Sequence, residues 1–165
     1  MMSELGLPEL IYLNDYSGNY EAYIAAVYEV FRRDFVVNRP LFQGVRLRLK
    51  CHPYFQDREY TFYHITHEGD QEDQRIPDLR RCERIGYARV LIENADHPSL
   101  KVWRQVRNGK NRIAIYHEEE SYLVILDDRS EYILLWTAFY VRHNSFHKKL
   151  MKEYEEYIKN QNRPG

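Results

Sequence analysis

Residues 121–141, SYLVILDDRSEYILLWTAFYV, constrain the fold of this chain more than any other stretch. Residues 122–126 are apolar and rich in β-branched side chains, and residues 132–141 form a longer apolar and aromatic run. Between them, Asp127, Asp128, Arg129 and Ser130 supply turn chemistry, because short polar side chains bond their own backbone and accept left-handed conformations. The pattern predicts a hairpin. Both runs are near-continuous rather than alternating, as strands buried on two faces are. The expectation is a hairpin at the centre of a sheet, with Thr137 facing a site.

The flanking chain supplies the other elements. Residues 19–34 place Tyr20, Tyr23, Ile24, Val27 and Phe31 at helical spacing, with Ser17 or Asn19 as cap. Residues 45–50 alternate strictly, which predicts a strand with Val45, Leu47 and Leu49 inward. Residues 60–66, YTFYHIT, read as a further strand, and the polar run 68–77 as a mobile loop. Pro77 and Asp78 predict a helix start, with the helix running to about Asn94. Strands follow at 100–106 and 112–117, joined by the strong turn signal Asn108-Gly109. A last helix at 144–159 turns Phe146, Leu150, Tyr154 and Tyr157 inward. Grouped strands with helices set apart predict an α+β fold: a curved, mainly antiparallel sheet with an N-terminal, a middle and a C-terminal helix.

With 165 residues, the expectation is one domain with its core at about 17–160 and a short tail at 161–165. No apolar run is long enough to span a bilayer, and the first ten residues lack the pattern of a secretory signal. Two cysteines, Cys51 and Cys82, make no disulfide framework. These features predict a cytoplasmic protein without a membrane partner. The net charge of −1 conceals an uneven distribution. Residues 80–117 hold nine basic side chains against three acidic ones, between two acidic segments. That patch suits either an anionic ligand or an ordinary solvated face.

Several chemistries find no motif. The seven glycines form no phosphate-cradling loop, and neither a G-x-S-x-G elbow nor a zinc spacing is present. His64 and His67 are three apart, but on a strand their rings need not converge, so no metal is expected. What remains is a histidine at an element end, several arginines and a threonine in a buried strand. Metal-free cleavage of RNA uses those parts. An imidazole takes the 2′-OH proton near neutral pH, and arginines offset charge on the phosphorane oxygens.

The pattern FYHIT at 62–66, the segment DLRRCERI at 78–85, and YLVIL, EYILLWTAFYV and KKLMKEYEEY thereafter resemble the phage-encoded branch of the barnase–EndoU–colicin–RelE-like nuclease superfamily. The resemblance spans about residues 45–157. It implies a helix packed on a curved antiparallel sheet and a metal-independent endoribonuclease of toxin or phage-effector type, without cofactor. It assigns His64, Arg80, Arg84 and Thr137 to catalysis; beside them, His67, Arg112 and Tyr140 are candidates for substrate binding. The implied partners are an RNA substrate, tRNA or mRNA, and a neutralising antitoxin or immunity protein.

Each of these residues has a plainer reading. His64 suits a satisfied strand end, His67 a loop, and Arg80 and Arg84 ion pairs with Asp70, Asp73 or Glu83. Thr137 is a good strand former and Tyr140 a packing aromatic. The alternative function is a non-catalytic RNA- or protein-binding accessory protein on the same sheet.

Overall fold

The computed structural model describes residues 4–71 and 74–162. After a short 3-10 turn at Leu13–Tyr16, helix α1 runs over Tyr20–Phe31. Asn19 caps it as expected, its side-chain oxygen accepting from the Ala22 N–H at 3.1 Å. Tyr23, Ile24, Val27 and Phe31 are buried at helical spacing. A wider π-helical turn, Arg32–Val37, continues the helix and buries Phe35.

The expected strand at 45–50 is cut short. β1 (Leu41–Phe42) and β2 (Val45–Arg46) pair for two residues only, through a tight turn at Gln43 and Gly44. Val45 is exposed and Leu47 buried. Beyond them Arg48 makes a single parallel bridge to Leu134.

A larger correction concerns YTFYHIT. Residues Tyr60–Thr66 form a helix, α2, not a strand. Phe62 and Ile65, three apart, both enter the core, which a helix permits and a strand would not. The Thr66 hydroxyl donates back to the Phe62 carbonyl at 2.7 Å, one turn earlier. The predicted loop at 68–77 has paired ends, β3 (His67–Glu68) against β4 (Ile76–Pro77). Residues 72 and 73 within it lie outside the described residues.

The expected middle helix is two short ones, α3 (Leu79–Glu83) and α4 (Tyr87–Glu93). Asp78 caps α3 by accepting from the Arg80 and Arg81 N–H groups. Gly86 marks the break. A Cβ there would lie 2.8 Å from Pro8 Cγ, so the N-terminal segment passes where only glycine leaves room.

A four-stranded antiparallel meander follows: β5 (Leu100–Arg107), β6 (Lys110–His117), β7 (Tyr122–Asp128) and β8 (Ile133–Tyr140). Asn108 and Gly109 both adopt positive φ in the first turn, as their sequence predicts. The 121–141 hairpin is present, but its turn comes later than expected, with Asp127 and Asp128 still in β7. Nor is it the sheet's centre. β6 and β7 are central, because the preceding β5–β6 hairpin adds to the β7 side, and β8 lies at the edge. Arg48 closes that edge, donating to the Ile133 carbonyl and accepting from the Leu135 N–H.

Helix α5 (Asn144–Gln161) crosses one face of the sheet. Under it lie Trp103, Ala114, Tyr116, Leu123 and Ile125, joined by Leu150, Phe146, Tyr154 and Tyr157 from the helix. The other face carries α1 to α4 on Ile113, Ile115, Val124, Leu126, Leu135 and Ala138. Burial on both faces accounts for the near-continuous apolar β6 and β7, since each fully covered large side chain adds ~1.5–3 kcal/mol. The fold is α+β with antiparallel sheets, an N-terminal helix and a C-terminal helix. Among the described residues, no helix is long and apolar enough to cross a membrane.

Candidate functional site

The edge strand β8 organises the site. Its pairing with β7 slips between Ile125 and Leu126: Ile125 faces Thr137, Leu126 faces Leu135, and Trp136 is the extra residue. Such a bulge re-aims a side chain without breaking the strand. Directly paired residues share a face. Thr137, opposite Ile125, therefore belongs to the α5 face, and so does Phe139, opposite Leu123.

Three cationic or basic side chains reach this part of the face. His64, from α2 outside the β8 edge, lies with its ring 5.4 Å from that of Trp136. Arg112, from β6, sits over the Trp136 ring at 4.3 Å. Arg81, from α3, lies over Phe139 at 5.1 Å. Arg112 is only 11 % exposed, and its ion pair with Asp127 is loose at 3.7 Å. Its Nη1 is buried without a hydrogen-bond partner among the described residues. Burial lowers the pKa of the Arg112 guanidinium, against the pull of Asp127. Asp127 is engaged by a second cation, Arg129, at 2.8 Å.

Arg81 is held by its helix start. Its Nε bonds the Asp78 carboxylate at 3.2 Å, while its Nη1 donates to the His64 and His67 carbonyls at 3.3 and 3.1 Å. Burial lowers its pKa as well, with Asp78 opposing. The other oxygen of Asp78 accepts from Arg142 at 2.6 Å. Beside this network runs a groove of about 370 Å³, whose lining includes Asp78, Arg81, Phe139, Arg142 and His143.

The residues singled out in the sequence fall into three groups. His64, Arg112 and Thr137 come to the Trp136 bulge on the α5 face. Arg80, Arg84 and Tyr140 do not join them. Tyr140 pairs with Tyr122, which lies in the core on the opposite face. Arg84 stacks over Tyr140 at 4.3 Å, and both Arg84 and Arg80 pair with Glu83, as the plainer reading has it. The alternation of β8 separates the sets, because Thr137 and Tyr140 are an odd number of residues apart. His67 faces a separate cleft, stacked on Tyr63 at 4.4 Å.

Arg81, Trp136, Arg142 and His143 were not singled out. Arg81 had a signal: an N-cap at Asp78 places residue 81 one turn on, beside the capping carboxylate. Trp136 had none, since nothing in the sequence marks the bulge. The Cys82 thiol is buried and its pKa pushed up to about 12, which suits a small core residue rather than a nucleophile. Among the described residues, no three His, Cys, Asp or Glu side chains group as metal ligands. The chain matches no known family, no curated protein and no solved structure.

Proposed function

We propose that the protein is a metal-independent endoribonuclease of toxin or phage-effector type, acting on tRNA or mRNA from the β8 edge. The supporting observation is the gathering of His64 and Arg112 on Trp136, beside Thr137, with Arg81 on the neighbouring Phe139. In this reading His64 takes the proton from the 2′-OH, whose oxygen then bonds to phosphorus as the bond to the 5′-oxygen breaks. Arg112, with its spare buried Nη1, and Arg81 hold the negative charge on the non-bridging oxygens. The Thr137 hydroxyl donates to one of them. His143, in the adjoining groove, supplies the proton to the departing 5′-oxygen. Trp136 offers a ring against which a base stacks. Arg80, Arg84 and Tyr140 serve as a flanking contact for the strand, not as part of the reacting set.

The burial of Thr137, 7 % exposed, favours a second reading, a non-catalytic RNA- or protein-binding accessory protein. One assay separates the two. Total RNA incubated with the protein in EDTA is expected to be cut, leaving 2′,3′-cyclic phosphate ends. Loss of the His64 imidazole in His64→Ala should slow cleavage at least ~100-fold, the size of a general-base contribution. Intact RNA with saturable binding would leave the accessory protein as the function. Cutting that needs an added divalent metal would end the metal-free mechanism.

A further inference from the structure

On the far side of α2 lies a second cleft, of about 340 Å³, between α1, the turn at 55–58 and β4. One wall is a column of three rings. Phe55 stacks on Tyr63 at 4.2 Å with 17° between planes, and Tyr63 stacks on His67 at 4.4 Å with 26°. The turn that presents Phe55 is tight. Phe55 and Arg58 exchange two backbone hydrogen bonds, at 3.0 and 2.9 Å, while Gln56 and Asp57 both take positive φ. Non-glycine residues adopt that conformation at a cost, so the fold holds Phe55 and Arg58 side by side against local preference.

The cleft is also cationic. Arg58 and Arg75 line it, and neither forms an ion pair among the described residues, whereas most other arginines do. Arg58 lies over the Tyr28 ring, at 5.3 Å. Arg75 donates to the carbonyls of Gly69, His64 and His67, yet its Nε is buried without a partner among the described residues. His67 adds no charge to this pair at neutral pH. Burial and the neighbouring Arg75 and Arg81 bring its pKa down to about 4, so it presents a neutral ring.

An aromatic column and two guanidiniums that form no ion pair among the described residues, lining one cleft, suit a ligand that is aromatic at one end and anionic at the other. We propose that this cleft binds a nucleotide, its base against the Phe55–Tyr63–His67 wall and its phosphate between Arg58 and Arg75. The site is distinct from the β8 edge and holds whether or not RNA is cut. It is nevertheless joined to that edge, because Arg75 and Arg81 grip the same two carbonyls, those of His64 and His67.

The test is calorimetric titration of the full chain with the four ribonucleoside 5′-monophosphates, their nucleosides, and four short homopolymeric RNA strands. At least one phosphate-bearing probe is expected to bind, and the matching nucleoside at least ~10-fold more weakly. Arg58→Gln and Phe55→Ala, each checked as folded by circular dichroism, should each weaken binding about tenfold. Binding of a monophosphate identifies a free nucleotide as sufficient; binding of strands alone places the nucleotide within RNA. No binding of any probe at millimolar concentration overturns the proposal, as does binding that both variants leave unchanged. RNA cleavage and nucleotide titration are separate readouts, so failure of the nuclease and failure of the cleft are told apart.

Discussion

Arg112 and His67 show how burial decides what a side chain can do. The guanidinium of Arg112 is almost covered, shares Asp127 with Arg129, and has an Nη1 without a hydrogen-bond partner among the described residues. A buried cation in that state is stabilised by an arriving anion more than an exposed one would be. His67 presents the opposite case, a ring kept neutral. The folded chain resists protonating it down to about pH 4, whereas the unfolded chain takes up that proton near 6.5. Between those values the unfolded state binds the extra proton, so stability falls as pH drops and is unaffected above them. The expected loss from pH 7 to 4.5 is about 2 kcal/mol after allowing for partial exposure. Urea unfolding at the two pH values measures it, and His67→Phe should show a correspondingly smaller loss. At this scale the sequence was partly legible. His64, Arg112 and Thr137 do share a place, but Arg81 rather than Arg80 or Arg84 reaches the α5 face. Which arginine points where depends on the exact first residue of α3, fixed by the Asp78 cap.

At the scale of elements, α1 was readable because periodicity and its Asn19 cap agree, α5 from its periodicity, and the β5–β6 hairpin because its alternation meets the Asn108-Gly109 turn. YTFYHIT misleads because its residues favour strands while its burial spacing is helical; the core's need for Phe62 and Ile65 together overrides local preference. The break between α3 and α4 was hidden for another reason. It depends on Pro8, far away in sequence, packing onto Gly86. Gly86 has an ordinary helical backbone, so only this contact opposes a side chain there. Gly86→Ala is therefore expected to destabilise the protein by about 1–2 kcal/mol. Thermal unfolding of the variant checks this, and a rise in midpoint would mean that Pro8 yields.

For the whole molecule, the sheet separates two cores, and α5 alone covers the smaller. Leu150 is its fully buried helical residue. Leu150→Ala is expected to cost about 3 kcal/mol, seen as a lower urea midpoint with the slope unchanged if the two cores unfold together. A second transition would show instead that α5 detaches on its own. The bridge from Arg48 to β8 bears on the order of assembly. The meander from β5 to β8 is made of neighbouring hairpins, whose short loops close at little entropic cost. Arg48 reaches Ile133 and Leu135 from far upstream, and α2 follows it in the chain. The sheet can thus form early with its β8 margin bare, and His64 arrives only when the upstream half docks. Under the proposed nuclease function, a nascent or partly folded chain would carry Thr137 and Arg112 without its base, so cleavage would be the last property the molecule acquires.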